Sequence, residues 1–145
     1  MHTRVDFYKA APDAVMAMLG IEKYVSSCGL EQSLLNLVKL RASQINGCVY
    51  CVDLHSAEAK KEGESERRLH SVVVWRESPF FTTRERVALA WTEAVTLLSE
   101  THVPDDIYNQ ALTCFNEKEL IDLTMAIIAI NSWNRLSVSF RKLPS

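Results

Sequence analysis

Four glycines and four prolines are spread through 145 residues, and this scarcity is the strongest constraint on the fold. Sandwiches, collagen-like chains and Pro/Gly-rich disordered chains all need more of both. The residues that do break the chain fall between segments of helical periodicity. Pro12 stands where a first helical turn tolerates proline. Behind it Val15, Met18, Leu19, Ile21 and Val25 form an apolar stripe that ends near Cys28-Gly29. A second helix is expected from about Glu31, with Leu34, Leu35, Leu37, Val38, Leu40 and Ile45 as its apolar surface. Asn46-Gly47 then turns the chain. Cys48 opens a third helix, which runs to about Glu62 and stops at Gly63.

Residues 65–75 read as a fourth helix, although Val72-Val73-Val74 would also suit a strand. Thr82 and Glu85 make a capping-box pattern, in which hydroxyl and carboxylate satisfy first-turn amides. The helix behind it carries Val87, Ala90, Trp91, Ala94 and Leu98 on one side. Pro104 opens another helix through Phe115. Asn116 caps the last and longest, expected over 117–140. That helix is apolar around much of its circumference from Leu120 to Ile130, as suits a central helix or one shared with another subunit. No repeat or linker interrupts the pattern. The expectation is one all-α domain over residues 1–145, with six or seven helices.

Composition narrows the class of function. Apolar residues make up 48% of the chain and the formal net charge is −2. No excess of positive charge calls for nucleic acid or an anionic membrane. The longest strongly apolar run, from Leu123 to Ile130, is far short of the ~20 residues that span a bilayer. Arg4, Asp6, Lys9 and Asp13 interrupt the start, where a secretory signal needs an apolar stretch. A cytoplasmic protein with reduced thiols is the simplest expectation. Its four cysteines are too few for a disulfide-stapled secreted domain. In the cytosol a close cysteine pair is more often catalytic or metal-binding than structural.

Such a pair stands in Asn46-Gly47-Cys48-Val49-Tyr50-Cys51-Val52-Asp53-Leu54-His55. At about 100° per residue, Cys51 lies about 60° from Cys48 around the helix, and His55 about 20° from it. All three share one face. The first turn offers free amides and the positive end of the helix dipole, which favour a thiolate. His55, four residues after Cys51, can reach back to that sulfur and take its proton. Cys48 is close enough to close a disulfide across one turn. Together these groups can run dithiol redox chemistry, in which one thiolate takes an oxygen from a peroxide and the other condenses with the sulfenic acid. Two other readings stay open on spacing alone. Both cysteines could be inert core residues. Or Cys48, Cys51 and His55 could be three ligands of a zinc site, although a structural site needs a fourth.

The stretch LVKLRASQINGCVYCVDLHSAEAKKEGE resembles the core of the AhpD-like alkylhydroperoxidases, within the carboxymuconolactone decarboxylase superfamily. The likeness continues through Trp75 to Phe81, Leu89 to Ala94 and Ile130 to Arg135, with the redox core at residues 34–63. The resemblance implies an all-α peroxidase in antioxidant defence that reduces hydroperoxides. Its peroxidatic thiol is Cys51, assisted by His55. Cys48 is the resolving thiol and the point of exchange with a thiol reductant or partner redox protein. It also implies a homo-oligomer, trimer or hexamer, with no haem, flavin or metal cofactor.

Two departures stand out. The family's relay glutamate falls twelve residues before the first motif cysteine, where this chain has Asn36, and Tyr50 stands where some members have histidine. An amide cannot act as a proton-carrying base. Either another carboxylate substitutes, or the chain is a redox-responsive scaffold or sensor with little peroxidase activity. Glu93, in the family-like string Trp91-Thr92-Glu93-Ala94, is the substitute chosen here, with Glu58 and Glu31 as lesser candidates. Cys28 and Cys114 read as packing residues, the three tryptophans as core or subunit anchors, and Arg67-Arg68 as a solvated helix face. Arg41 is expected to pair with a carboxylate. Asn134 and Arg135 are expected to satisfy buried polar groups or a subunit contact.

Overall fold

The computed structural model describes residues 1–145 and is all helical. The helices are α1 (Phe7–Ala10), α2 (Pro12–Ser27), α3 (Gln32–Ile45), α4 (Val49–Lys61), α5 (Glu66–Ser71), α6 (Thr83–Thr96), α7 (Leu98–Thr101), α8 (Asp105–Cys114) and α9 (Glu117–Phe140). A 3₁₀ segment, Val72–Glu77, follows α5. The count exceeds six or seven because α1 and α7 are single turns. The valine run also ends the fourth helix early: Val74 has φ −121° and ψ 30°, outside the helical region. No helix is long and apolar enough to cross a membrane.

The caps follow the sequence closely. Thr82 with Glu85, and Asn116 with Glu119, form complete capping boxes at the starts of α6 and α9. The apolar side of α6 differs from the expectation. Ala88, Leu89, Trp91, Thr92 and Ala94 are its buried residues, whereas Leu98 lies beyond its end, on α7, and is exposed.

The central element is α3, which packs against α4, α6 and α9. It buries Leu34, Leu35, Leu37, Val38 and Leu40 on several sides. Leu34, Leu35 and Val38 face a large core with Val25, Trp91, Phe115, Leu123 and Ile127. Leu37 and Leu40 face a second core with Leu69, Val72, Trp75, Phe81 and Leu89. Free Cys28 and Cys114 pack against the edge of the first. Arg68 is not a solvated side chain. It is half-buried, bonds Glu64 and Glu85, and donates to the Phe80 carbonyl, tying α5 to α6.

A buried amide network pins the α3–α4 turn to α9. Asn46 Nδ2 donates to Asn131 Oδ1 at 3.0 Å and to Asn134 Oδ1 at 2.9 Å. Asn134 Nδ2 donates to Ser43 Oγ at 3.1 Å, and Ser43 Oγ to the Lys39 carbonyl at 2.7 Å. Asn131 reaches Thr96 Oγ1 at 3.1 Å. No buried side-chain nitrogen or oxygen lacks a partner. Gly47 follows at φ +65°, a left-handed conformation that glycine adopts without steric cost. An Asn134→Ala variant removes one of the two acceptors of the Asn46 amide and leaves the buried Ser43 hydroxyl without its donor. A stability loss of about 1–3 kcal/mol is expected, read by denaturant or thermal unfolding; an unchanged midpoint would contradict this account of the turn.

Candidate active site

The turn delivers Cys48 to the N-cap of α4, with φ −86° and ψ 97°. Its sulfur accepts from the Cys51 amide at 3.2 Å, as a serine oxygen does in an ordinary cap. Cys48 and Cys51 are joined as a disulfide, their Cα atoms 5.3 Å apart. Both are almost wholly buried, at 1% and 2% exposure, against Ala42 and Ile130.

The two cysteines open onto different cavities. Cys51 lines one of about 420 Å³, together with His55, Glu58, Tyr50, Glu22 and Lys39. Val15, Leu19, Leu54 and Trp133 give it an apolar wall. Cys48 lines a separate cavity of about 430 Å³ beside Gly47 and Val49, where the two ends of the chain meet. Ser137 lines both; Tyr50 lines the first and Lys142 the second, with the ammonium 4.6 Å from the ring.

His55 sits in the first cavity, with Nδ1 3.0 Å from Glu58 Oε2. Burial is the largest influence on its imidazole and holds its pKa below the ordinary histidine value; Glu58 opposes this, Lys39 adds to it, and Glu22 opposes it. The imidazole is therefore neutral at pH 7 and can accept a proton from a thiol. Because the folded chain binds fewer protons than the unfolded one just below pH 6.5, stability from this group is lost as pH falls through that value.

The carboxylates divide differently from the sequence expectation. Glu93 is not brought into this cavity. Its Oε1 accepts from Arg41 at 3.0 Å and from Trp75 Nε1 at 2.8 Å, and its Oε2 pairs with Arg76. Burial raises its pKa, but the bonds from Arg76 and Trp75 and the charges of Arg41 and Arg76 outweigh burial and lower it. Glu93 thus fastens the 3₁₀ segment to α3 and α6. Glu31 pairs with Arg84 at 3.1 Å, away from the cysteines. Asn36 is buried, accepting from Gln32 at 3.0 Å and donating to Glu62 at 2.7 Å, and lines neither cysteine cavity.

Glu58 does reach His55, and the sequence reading missed a second carboxylate, Glu22. Glu22 accepts from Trp133 Nε1 at 3.0 Å and lies 3.8 Å from Lys39 Nζ. Its signal was present: Val15, Leu19 and Glu22 follow helical spacing on α2, so the acid interrupts an otherwise apolar face. No group of three or more His, Cys, Asp or Glu side chains is arranged to hold a metal ion.

The sequence profile of the carboxymuconolactone decarboxylase family matches residues 9–94. The chain belongs to this family. Among its relatives is the uncharacterized protein YdfG of Bacillus subtilis strain 168, 37% identical over 139 residues, which are 96% of this chain and 95% of that protein. The uncharacterized protein YnjA of Escherichia coli K12 is 33% identical over 98 residues, 68% of this chain and 53% of the relative. A crystal structure from Agrobacterium tumefaciens, of a protein of unknown function named as a candidate AhpD antioxidant-defence protein, superposes with TM-score 0.97. It is 46% identical, and 99% of each chain is covered. The AhpD-like fold is thus shared over the whole chain. The debrominase Bmp8, solved with 2,3,4-tribromopyrrole, has TM-score 0.82 at 20% identity over 92% of this chain and 71% of its own. That likeness is one of fold.

The influences on His55 can be separated by NMR titration of its ring. Lys39→Met is expected to raise the pKa and Glu58→Gln to lower it further. Shifts in one direction for both variants would overturn this account of the cavity.

Proposed function

We propose that this protein is a thiol-dependent peroxidase that reduces organic hydroperoxides through Cys51 and Cys48. The observation that carries the reading is the shared cavity of Cys51 and His55, with Cys48 in covalent reach behind it. The His55 imidazole takes the Cys51 proton. The thiolate attacks the terminal peroxide oxygen; the O–O bond breaks, and the alkoxide takes a proton and leaves as alcohol. Cys51 is then a sulfenic acid. Cys48 attacks that sulfur, the S–O bond breaks, water leaves, and the disulfide forms. A thiol reductant restores both thiols.

The apolar wall of Val15, Leu19, Leu54 and Trp133 supports a substrate with a hydrocarbon body rather than hydrogen peroxide alone. Glu58 and Glu22 support a relay that does not depend on position 36. The rival reading, a redox-responsive scaffold, rests on the missing relay carboxylate at Asn36, whose amide bonds Gln32 and Glu62 instead.

Steady-state turnover of cumene hydroperoxide with a thiol reductant tests the proposal. Cys51→Ser is expected to lose it. Glu93→Gln is expected to lose stability but keep turnover per folded molecule. Asn36→Glu is expected to bring no gain, since it sets a second carboxylate beside Glu62; a sharp gain would favour the scaffold reading. Full turnover in Cys51→Ser would reject the peroxidase.

Self-association belongs to the same reading. Ile121 is 62% exposed and, with Ile128, Leu112 and Tyr108, forms an apolar strip along α8 and α9. A second copy is the proposed cover for this strip. Light scattering is expected to give a multiple of the chain mass, reduced by Ile121→Glu; a monomeric parent chain would refute it.

A further inference from the structure

The cavity behind Cys48 has a charge pattern that peroxide reduction does not use. Cys48, 1% exposed, lines it beside Gly47 and Val49 at the start of α4. Three cations stand around it: Arg4, Arg141 and Lys142. No carboxylate lines this cavity, and none of the three is in an ion pair. The nearby acid in the N-terminal segment, Asp6, is spent capping α1 and facing Lys9 at 3.8 Å.

Two of the cations, Arg4 and Lys142, are held in place by something other than an anion. Arg4 Nη1 donates to the Ser139 carbonyl at 3.1 Å, and the Arg4 amide to the Phe140 carbonyl at 2.9 Å. Lys142 Nζ lies 4.3 Å from the Tyr8 ring and 4.6 Å from that of Tyr50, so aromatic faces orient it; Asp6 lines a neighbouring cavity with it but forms no ion pair with it. Arg141 is the left-handed C-cap of α9, at φ +55°. The first amides of α4 precede any intrahelical acceptor and add positive potential on the same side. Cations without ion-pair partners around a concave site favour an anionic ligand, and they raise the rate at which it arrives.

We propose that this cavity binds the reductant, and that the reductant is a small thiol bearing carboxylates. The inference rests on the reading of Cys48 and Cys51 as a redox pair, and it adds the chemical class of the electron donor and the residues that select it. The cavity, about 430 Å³, suits a ligand the size of a short peptide. Carboxylates pair with Arg4 and Arg141 while the thiolate reaches Cys48. A bond forms between the incoming sulfur and Cys48 Sγ as the Cys48–Cys51 bond breaks. Cys51 leaves as a thiolate and takes a proton through His55. A second thiolate attacks the outer sulfur of the mixed disulfide, releasing reduced Cys48 and the oxidised small-molecule disulfide. Oxidant and reductant thus approach opposite sides of one covalent pair.

The test begins with protein whose disulfide has been formed by diamide, so it does not depend on peroxide turnover. Reduction is followed by quenched mass spectrometry with two probes, glutathione, which is anionic, and 2-mercaptoethanol, which is neutral. Each rate is divided by that thiol's rate on hydroxyethyl disulfide to remove intrinsic reactivity. The parent protein is expected to prefer glutathione. Arg4→Gln combined with Arg141→Asn is expected to cut the glutathione rate roughly tenfold and leave the 2-mercaptoethanol rate within about twofold. Asparagine tolerates the left-handed conformation at position 141, and the unchanged neutral-thiol rate reports an intact fold. Salt at about 1 M, where screening acts within about 3 Å, is expected to abolish the preference. A preference for glutathione in a protein that peroxide fails to oxidise would sustain this inference and reject the peroxidase. Equal normalised rates for the two thiols would overturn it, as would equal slowing of both in the double variant. So would charge dependence seen only with a thiol carried on an acidic protein domain.

Discussion

The side chain of Asn46 holds the site together. Its amide donates to two residues of α9 at once, Asn131 and Asn134, from the end of α3. That contact fixes the direction in which the chain leaves α3, and Gly47 supplies the left-handed step into α4. Where α4 begins decides where Cys48 caps and where Cys51 and His55 point. An apolar substitute could fill the same space but would leave the direction of the turn unspecified. The network therefore contributes more to orientation than to net stability, since buried amides exchange water bonds for protein bonds at small gain.

From that fixed turn the chemistry separates into two environments. Cys51 looks toward a cavity with an apolar wall and a desolvated histidine. Cys48 looks toward a cavity with cations and no acid. A disulfide across one helical turn joins two sites of opposite character that have no need to communicate by motion. Ser137 lines both cavities.

The acidic residues show how charge is spent in such a small chain. Glu93, Glu85 and Glu119 hold arginines and fasten helices, whereas Glu58 and Glu22 face His55. A carboxylate with three donors is held charged and serves as a strut. Glu58, whose side chain bonds His55 alone, tunes the imidazole directly, and Glu22 acts on it while paired with Trp133 and Lys39.

The sequence by itself determined the helices, their caps, the family and the neighbourhood of Cys48, Cys51 and His55. These depend on local spacing: capping boxes three residues apart, apolar periodicity, and Cys51 and His55 one helical turn apart; Cys48, expected on the same face, stands at the N-cap and lines the other cavity. It misplaced Glu93, because a family-like string says nothing about the three donors that fold around that carboxylate from α3 and the 3₁₀ segment. It also missed Glu22, 33 residues from His55 in the chain, and the cations that the two ends bring to Cys48. The valine run Val72 to Val74 yielded a 3₁₀ segment because tertiary packing of Val72 and Trp75 overrode regular helix. Only tertiary structure decided which charges meet which cysteine, because side chains far apart in sequence come together when packing folds the helices onto α3.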